Sequence, residues 1–434
     1  MAEFLLFFCI ILGLIVIISI TNEKLIHIPN DIALLLFSLG ICIVFTLACR
    51  FLPLEALQTA KQKLLSFKFE EYLLDGVLCF MLFAGAGKVR FKKFSSNLKT
   101  ITLLSFLTTG ISSFLYGALF FLAAQALNWP LSFWTCVMLG CIVSPTDPIA
   151  ATGIMNKLGL SKNVTTVIES ESLFNDGIGV ALFAFVRSLV TNAGRENFLL
   201  LILREVGGAA AVAATVSLIL FVVFKLSRKP INHIFISLFA VSLVYVLCEL
   251  CGFSGVIASV LCGMIFSYGI EKIDRFRQVV DPHDSYNQFW ESIDNLLNSV
   301  LFVLIGISAI RLPISGKLPF IAVSAIFFGL IARAVGVAIP SLVIKSRVIP
   351  GGYSLPEFVA LMTWSALKGG LSLAMVLSTE SFLSSEIYDI LLATTYITIF
   401  FTVIVQGLST KRAYGLIEKH KSKRLRKEGD KRCA

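Results

Sequence analysis

Apolar residues in this chain come in long runs. Each run of about twenty, bounded by charge, proline or glycine, is long enough to cross a hydrocarbon layer as a helix. They lie at residues 4–20, 31–50, 71–88, 100–125, 131–155, 163–190, 198–226, 231–250, 254–270, 290–311, 317–343, 355–378 and 387–408. The pattern predicts about thirteen spanning helices. No Lys or Arg precedes the first run and no small-residue cleavage pattern follows it, so it is expected as a retained span and not a signal peptide. Residues 409–434 hold no such run and are expected as a basic cytoplasmic tail.

Composition strengthens this picture. Hydrophobic residues make up 57% of the chain and charged ones 15%, with a mean hydropathy of +0.87, which no ordinary soluble fold carries. The expected class is an all-α polytopic membrane protein. Ten cysteines are scattered through apolar runs and read as small buried hydrophobes. Cys248 and Cys251 form a C-x-x-C with no second pair, too little for a metal site.

Lys and Arg orient the spans. With alternating loops, about 26 fall on the side of the C-terminus and about 9 on the other, while Arg333 and Lys368 lie inside the membrane. This puts the C-terminus in the cytoplasm and the N-terminus on the periplasmic or extracellular face of a plasma (inner) membrane. The net charge of +10 largely reflects that orientation, since residues 411–432 hold ten basic side chains. Membrane lipid is the expected partner. Nucleic acid is not, because only Tyr414 could stack among those charges.

Polar residues inside the spans change the picture most: Asp147, Glu169, Glu171, Asn175, Asp176, Arg333 and Lys368. Ionisable groups at membrane depth face a bundle interior or a wet cavity, and by default they point to an ion or proton path. Interhelical pairing that only fixes packing is the competing reading for any single one. In ESLFNDGIG (171–179), Glu171 and Asn175 are four apart, as are Ser172 and Asp176, so a helix presents them as one stripe. Asp176 and the Ser172 hydroxyl can converge on one small ligand. Gly177 and Gly179 allow another backbone to come close.

In VSPTDPIAATG (143–153), Pro145 and Pro148 leave the carbonyls of Cys141 and Ser144 without helical partners. A helix broken at mid-membrane is expected, with free carbonyls able to hold a cation beside Asp147. WSALKGGLSLAM (364–375) reads as a second broken helix, with Gly369 and Gly370 beside Lys368. Lys368 would there offset the partial negative charge of half-helix C-termini. If spans one to six and eight to thirteen are inverted repeats, the two interrupted spans are counterparts.

Together SPTDPIAATGI, ESLFNDGIGVALF, SGVIASVLCGMI (254–265), FWESIDNLLNSVLFVLIGI (289–307) and LKGGLSLAM resemble the NhaP/NHE-type sodium/proton antiporters of the cation/proton antiporter superfamily. The likeness runs from the third span to the last. It implies two inverted six-helix repeats with crossed broken helices, and a homodimer in which a core domain (about 100–190 and 317–408) moves against a dimerisation domain (about 1–88 and 198–311). By match to the family motif, Asp176 is the carboxylate that binds cation and proton, with Ser172 and the Thr146 backbone as further ligands. Asp147 assists directly or through water. Asn175 bonds to Thr146 across the crossing, and Glu171 pairs with Arg333. The chain departs from the family in carrying Lys368 where an Arg is usual, and in lacking an acid in LCFMLFAGA (78–86).

The function that follows is secondary antiport of a monovalent cation, Na+ with Li+ or K+ as alternatives, against H+. A carboxylate in a narrow, partly dry site is unstable bare, so it holds a proton or a small hard cation. Asn175 cannot titrate, which points to electroneutral one-for-one exchange. No cofactor is expected beyond the transported ions, and the protein is a transporter, not an enzyme. A cation channel would use the same acids for downhill flux. An intramembrane aspartyl protease would need Asp147 and Asp176, but its G-x-G-D context is absent.

Overall fold

The computed structural model describes residues 2–52, 55–65, 68, 71–88, 98–147, 162–191, 198–227, 229–277, 284–313, 316–343 and 349–433. In chain order its helices begin with α1 (Ala2–Thr21), α2 (Asn30–Phe51), α3 (Glu55–Leu65), α4 (Leu78–Lys88), α5 (Leu98–Leu103) and α6 (Thr109–Ala126). Next come α7 (Phe133–Val143), α8 (Lys162–Val190), α9 (Phe198–Leu226), α10 (Pro230–Cys251), α11 (Gly255–Arg277) and α12 (Asp284–Ser308). The last are α13 (Leu318–Val343), α14 (Leu355–Trp364), α15 (Gly370–Leu377), α16 (Ser385–Phe400) and α17 (Gly407–Cys433). One-turn π segments lie at Asn22–Ile26, Tyr72–Val77, Leu104–Thr108 and Phe401–Gln406.

Nine helical stretches among the described residues are long and apolar enough to cross a membrane. Each of the thirteen predicted spans falls on a described helix, and three differ from a simple rod. The fifth loses its helix after Val143, and Pro148 with the rest of that run lies outside the described residues. The twelfth is two helices, α14 and α15, with residues 365–369 unwound between them. The thirteenth does not stop at residue 408: α16, a π turn and α17 form one unbroken helix into the basic segment.

Contacts divide the chain into two units. The first comprises Met1–Lys92, Arg187–Ile314 and Leu373–Leu392; the second comprises Lys93–Val186, Ser315–Ser372 and Ala393–Ala434. The core of the first unit is aromatic, with Phe83 of α4, Phe224 of α9, Phe266 of α11 and Trp290 of α12 packed together. The Phe83 and Trp290 rings are 4.5 Å apart, and the Trp290 indole donates to Ser237 Oγ at 3.1 Å. Two of the sequence motifs are explained by this packing. A Cβ at Gly263 would come within 2.6 Å of the Phe83 carbonyl oxygen, so glycine lets α11 and α4 touch backbone to backbone. In FWESIDNLLNSV, buried Asp294 takes the ammonium of Lys88 at 2.5 Å and the amide of Asn298 at 2.9 Å. Outward side chains such as Leu218, Ile219, Val222, Phe235 and Leu250 are exposed, as suits helices surrounded by lipid.

In the second unit, α6 lies against α7, where a Cβ at Gly117 would meet the Val137 backbone and one at Gly140 the carbonyl of Ser113. On its other side α6 meets α13: Gly336 leaves room for Ser112, whose hydroxyl donates to the Ala332 carbonyl at 3.1 Å. Small residues let these backbones approach closely. The interrupted segments around residues 144–147 and 365–369 both belong to this unit.

Candidate functional site: two chain breaks under a polar helix stripe

Pro145 has no N–H to continue α7, and the chain leaves the helix at Ser144. The two interruptions meet at an antiparallel bridge, where the Asp147 N–H donates to the Leu367 carbonyl at 2.8 Å. Lys368 then reaches back to the first break, its Nζ donating to the Ser144 carbonyl at 2.9 Å. That carbonyl has no helical partner by the sequence reading, and here it accepts a hydrogen bond from a side chain of the protein itself. A Cβ at Gly369 would stand 3.1 Å from Asp147 Oδ2, and glycine keeps space open beside that carboxylate.

The stripe on α8 lies over the first break. Asn175 Oδ1 accepts the Thr146 N–H at 3.1 Å, while its Nδ2 donates to Thr146 Oγ1 at 2.7 Å and to Glu171 Oε1 at 3.3 Å. The hydroxyls of Ser172 and Thr146 are 2.9 Å apart. Arg333 of α13 grips Glu171 with two nitrogens, Nη1 to Oε1 and Nη2 to Oε2, each at 2.9 Å. Both members of this pair are buried. Gly179 faces the ring of Pro145, where any Cβ would overlap it.

Asp176 stands apart from this web. It is partly accessible, and none of the described residues donates a hydrogen bond to its carboxylate. Asp147, Glu171 and Lys368 lie within electrostatic reach of it. Thus Thr146, Asp147, Glu171, Ser172, Asn175, Asp176, Arg333 and Lys368 gather in one place. Hydrogen bonds tie Thr146, Ser172, Asn175, Glu171 and Arg333 together, and the Asp176 carboxylate takes no part in them. Oxygen donors of this kind suit a small hard cation.

Residues 4–414 match the transmembrane sodium/hydrogen exchanger family. The chain belongs to that family. This exchanger is 29% identical over 419 residues to the Na(+)/H(+) antiporter NhaP of Pseudomonas aeruginosa, across 92% of this chain and 93% of that one. It is 30% identical over 332 residues to the Na(+)/H(+) antiporter NhaH of Halobacillus aidingensis, across 75% of this chain and 77% of the relative. In fold it is similar to the solved structure of the sodium proton antiporter MjNhaP1 from Methanocaldococcus jannaschii at pH 8. That likeness has a TM-score of 0.72 at 19% identity and covers 95% of this chain and 96% of the other.

Sequence reasoning missed three groups around this candidate site. The Leu367 carbonyl carries no side-chain signal at all. Ser113 of α6 bonds the Ser144 hydroxyl at 2.8 Å. Thr402, on the π turn before α17, accepts the Lys368 N–H at 3.1 Å. Its signal was a row of threonines four apart, Thr394, Thr398 and Thr402, on one face of the last span. Arg333, Lys368, Ser144, Thr363, Thr402 and Gln406 line a cavity of about 40 Å³.

Proposed function

We propose that this chain is a secondary active antiporter that exchanges a monovalent cation, Na+ first and Li+ or K+ as alternatives, for H+ at a single shared carboxylate. The observation that carries the reading is Asp176, a partly accessible acid without a hydrogen-bond donor among the described residues, set in a family of sodium/hydrogen exchangers. Asp176 binds cation or proton in turn, with Ser172, Thr146 and Asp147 as further oxygen donors. Glu171, Arg333 and Asn175 hold Thr146 and the stripe in place, and Lys368 secures the crossing through Ser144.

A bare carboxylate in such a site is costly, so only loaded forms pass between the two access states, and exchange becomes obligatory. In this reading residues of about 100–190 and 317–408 form the transporting core and those of about 1–88 and 198–311 the dimerisation domain of a homodimer. The protein sits in the plasma membrane with its C-terminus in the cytoplasm.

Proton flux in proteoliposomes on adding each alkali cation tests the function. Asp176→Asn keeps the shape and removes the titratable group, so cation-driven flux should vanish while the protein stays folded by size-exclusion chromatography. Flux that survives in this variant would reject the site, and passive downhill current in the parent would point to a channel.

A further inference from the structure

Phe401–Gln406 is a π turn inside an otherwise regular helix running from Ser385 to Cys433. Single π turns within α-helices are rare and concentrate at functional positions. This one carries Thr402, which is 5% exposed. Its hydroxyl donates to the Ile399 carbonyl at 3.1 Å and accepts the Lys368 N–H at 3.1 Å. Both hydrogen-bonding capacities are in use, so the orientation of the hydroxyl is set.

The Leu367 carbonyl and the Lys368 N–H are the two ends of one planar peptide group. Thr402 holds the hydrogen end, and the oxygen end receives the Asp147 N–H at 2.8 Å. Here the chain is unwound, so no helical carbonyl serves Lys368, and a buried N–H without an acceptor is costly. Rotation of this peptide would move its oxygen away from Asp147. The Lys368 side chain is pinned separately, at the Ser144 carbonyl.

We propose that Thr402 is a positioning residue for the cation site: by accepting the Lys368 N–H it orients the Leu367–Lys368 peptide, whose oxygen anchors the backbone of Asp147. The inference rests on the cation-site reading above. Thr402 itself touches no ion. It acts through one peptide group on the place where the Asp147 carboxylate stands.

The test compares Thr402→Val, which keeps the volume and loses the hydroxyl, with Thr402→Ser, which keeps the hydroxyl. Three quantities are read on the full chain: the half-saturating Na+ concentration with its pH profile in proteoliposomes, and, in detergent, amide hydrogen exchange over residues 365–369 and the melting temperature. The Val variant should raise half-saturation about fivefold, the worth of one neutral hydrogen bond, displace the pH profile, and speed exchange at 365–369. The Ser variant should match the parent in all three.

Parental half-saturation in the Val variant overturns the proposal, whatever its amide exchange. So does weaker Na+ binding with parental protection, or equal impairment of Val and Ser with a lower melting temperature. If Val does not fold, Thr402→Ala carries the same comparison; failure of both while Ser behaves as the parent means a purely structural role and also overturns it. Amide exchange is read without transport. Exchange of ions that persists in Asp176→Asn would therefore reject the cation-site reading, while the Thr402 contact would still be judged by amide protection.

Discussion

At the scale of single residues, the candidate site sets a doubly hydrogen-bonded pair, Glu171 with Arg333, beside an Asp176 carboxylate that takes no hydrogen bond from the described residues. Glu171 is fully buried and held by both terminal nitrogens of Arg333, with Asn175 as a further donor. Removing one partner strands the other charge in a low-dielectric interior, which costs about 3 to 5 kcal/mol. Glu171→Ala and Arg333→Ala should therefore each lower the thermal unfolding temperature before they change cation affinity, with melting and cation titration measured on the same sample. If both melt like the parent yet bind cations poorly, the pair belongs to the cation site itself. The stripe and its spacing were legible because 3.6-residue periodicity is local. The acceptor at Leu367 was not, since every residue has a carbonyl and only the crossing selects this one.

At the scale of elements, breaks were easier to read than continuations. Proline removes a donor wherever it stands, so the end of α7 could be placed from sequence. The tail could not, because its charges look solvated and its partners lie far off in the chain. In the structure α17 lies along α14. Tyr353 bonds Glu418, Lys421 stands 3.9 Å above the Tyr353 ring, and Arg424 donates to Glu357 Oε2 at 3.1 Å and to the Gly352 carbonyl at 2.7 Å. His420 Nδ1 lies 3.0 Å from Glu357 Oε1. Glu357 also closes the capping box of α14, accepting the Ser354 N–H at 2.8 Å.

Glu357→Gln preserves a capping side chain and removes the charge that faces Arg424 and His420. It should weaken docking by about 1 to 2 kcal/mol, toward the low end for charged hydrogen bonds because His420 is largely exposed. Trypsin should then cut the 419–427 segment faster than in the parent. An unchanged cleavage rate would mean that these contacts do not hold the tail.

At the scale of the whole molecule, the stoichiometry turns on how many groups can change charge in a cycle. Asn175 is an amide locked between Thr146 and Glu171, and Glu171 is locked to Arg333. If Asp176 alone alternates between H+ and Na+, as proposed above, each half-cycle carries one positive charge and the net charge moved is zero. One uncompensated charge would be worth about 2.3 kcal/mol per 100 mV. The pH gradient at which net flux reverses in proteoliposomes should therefore stay put when a valinomycin-clamped potassium potential is imposed. A reversal point that moves with voltage would mean that Asp147 or another group also carries charge.

By itself the sequence determined that this is an all-helical membrane protein with two interrupted spans and a charged stripe beside one of them. Span length, missing proline donors and helical spacing act over a few residues, so each is written where it acts. The pairing of Glu171 with Arg333, 162 residues apart, came from family resemblance and not from any local rule. Only the tertiary structure decided that the donor to the Ser144 carbonyl is Lys368, that the Asp147 backbone hangs on Leu367, and that Thr402 holds the other end of that peptide. These are hydrogen bonds between backbone groups common to every residue and partners distant in the chain, and they exist only once the packing of glycines and small side chains has brought the two breaks together.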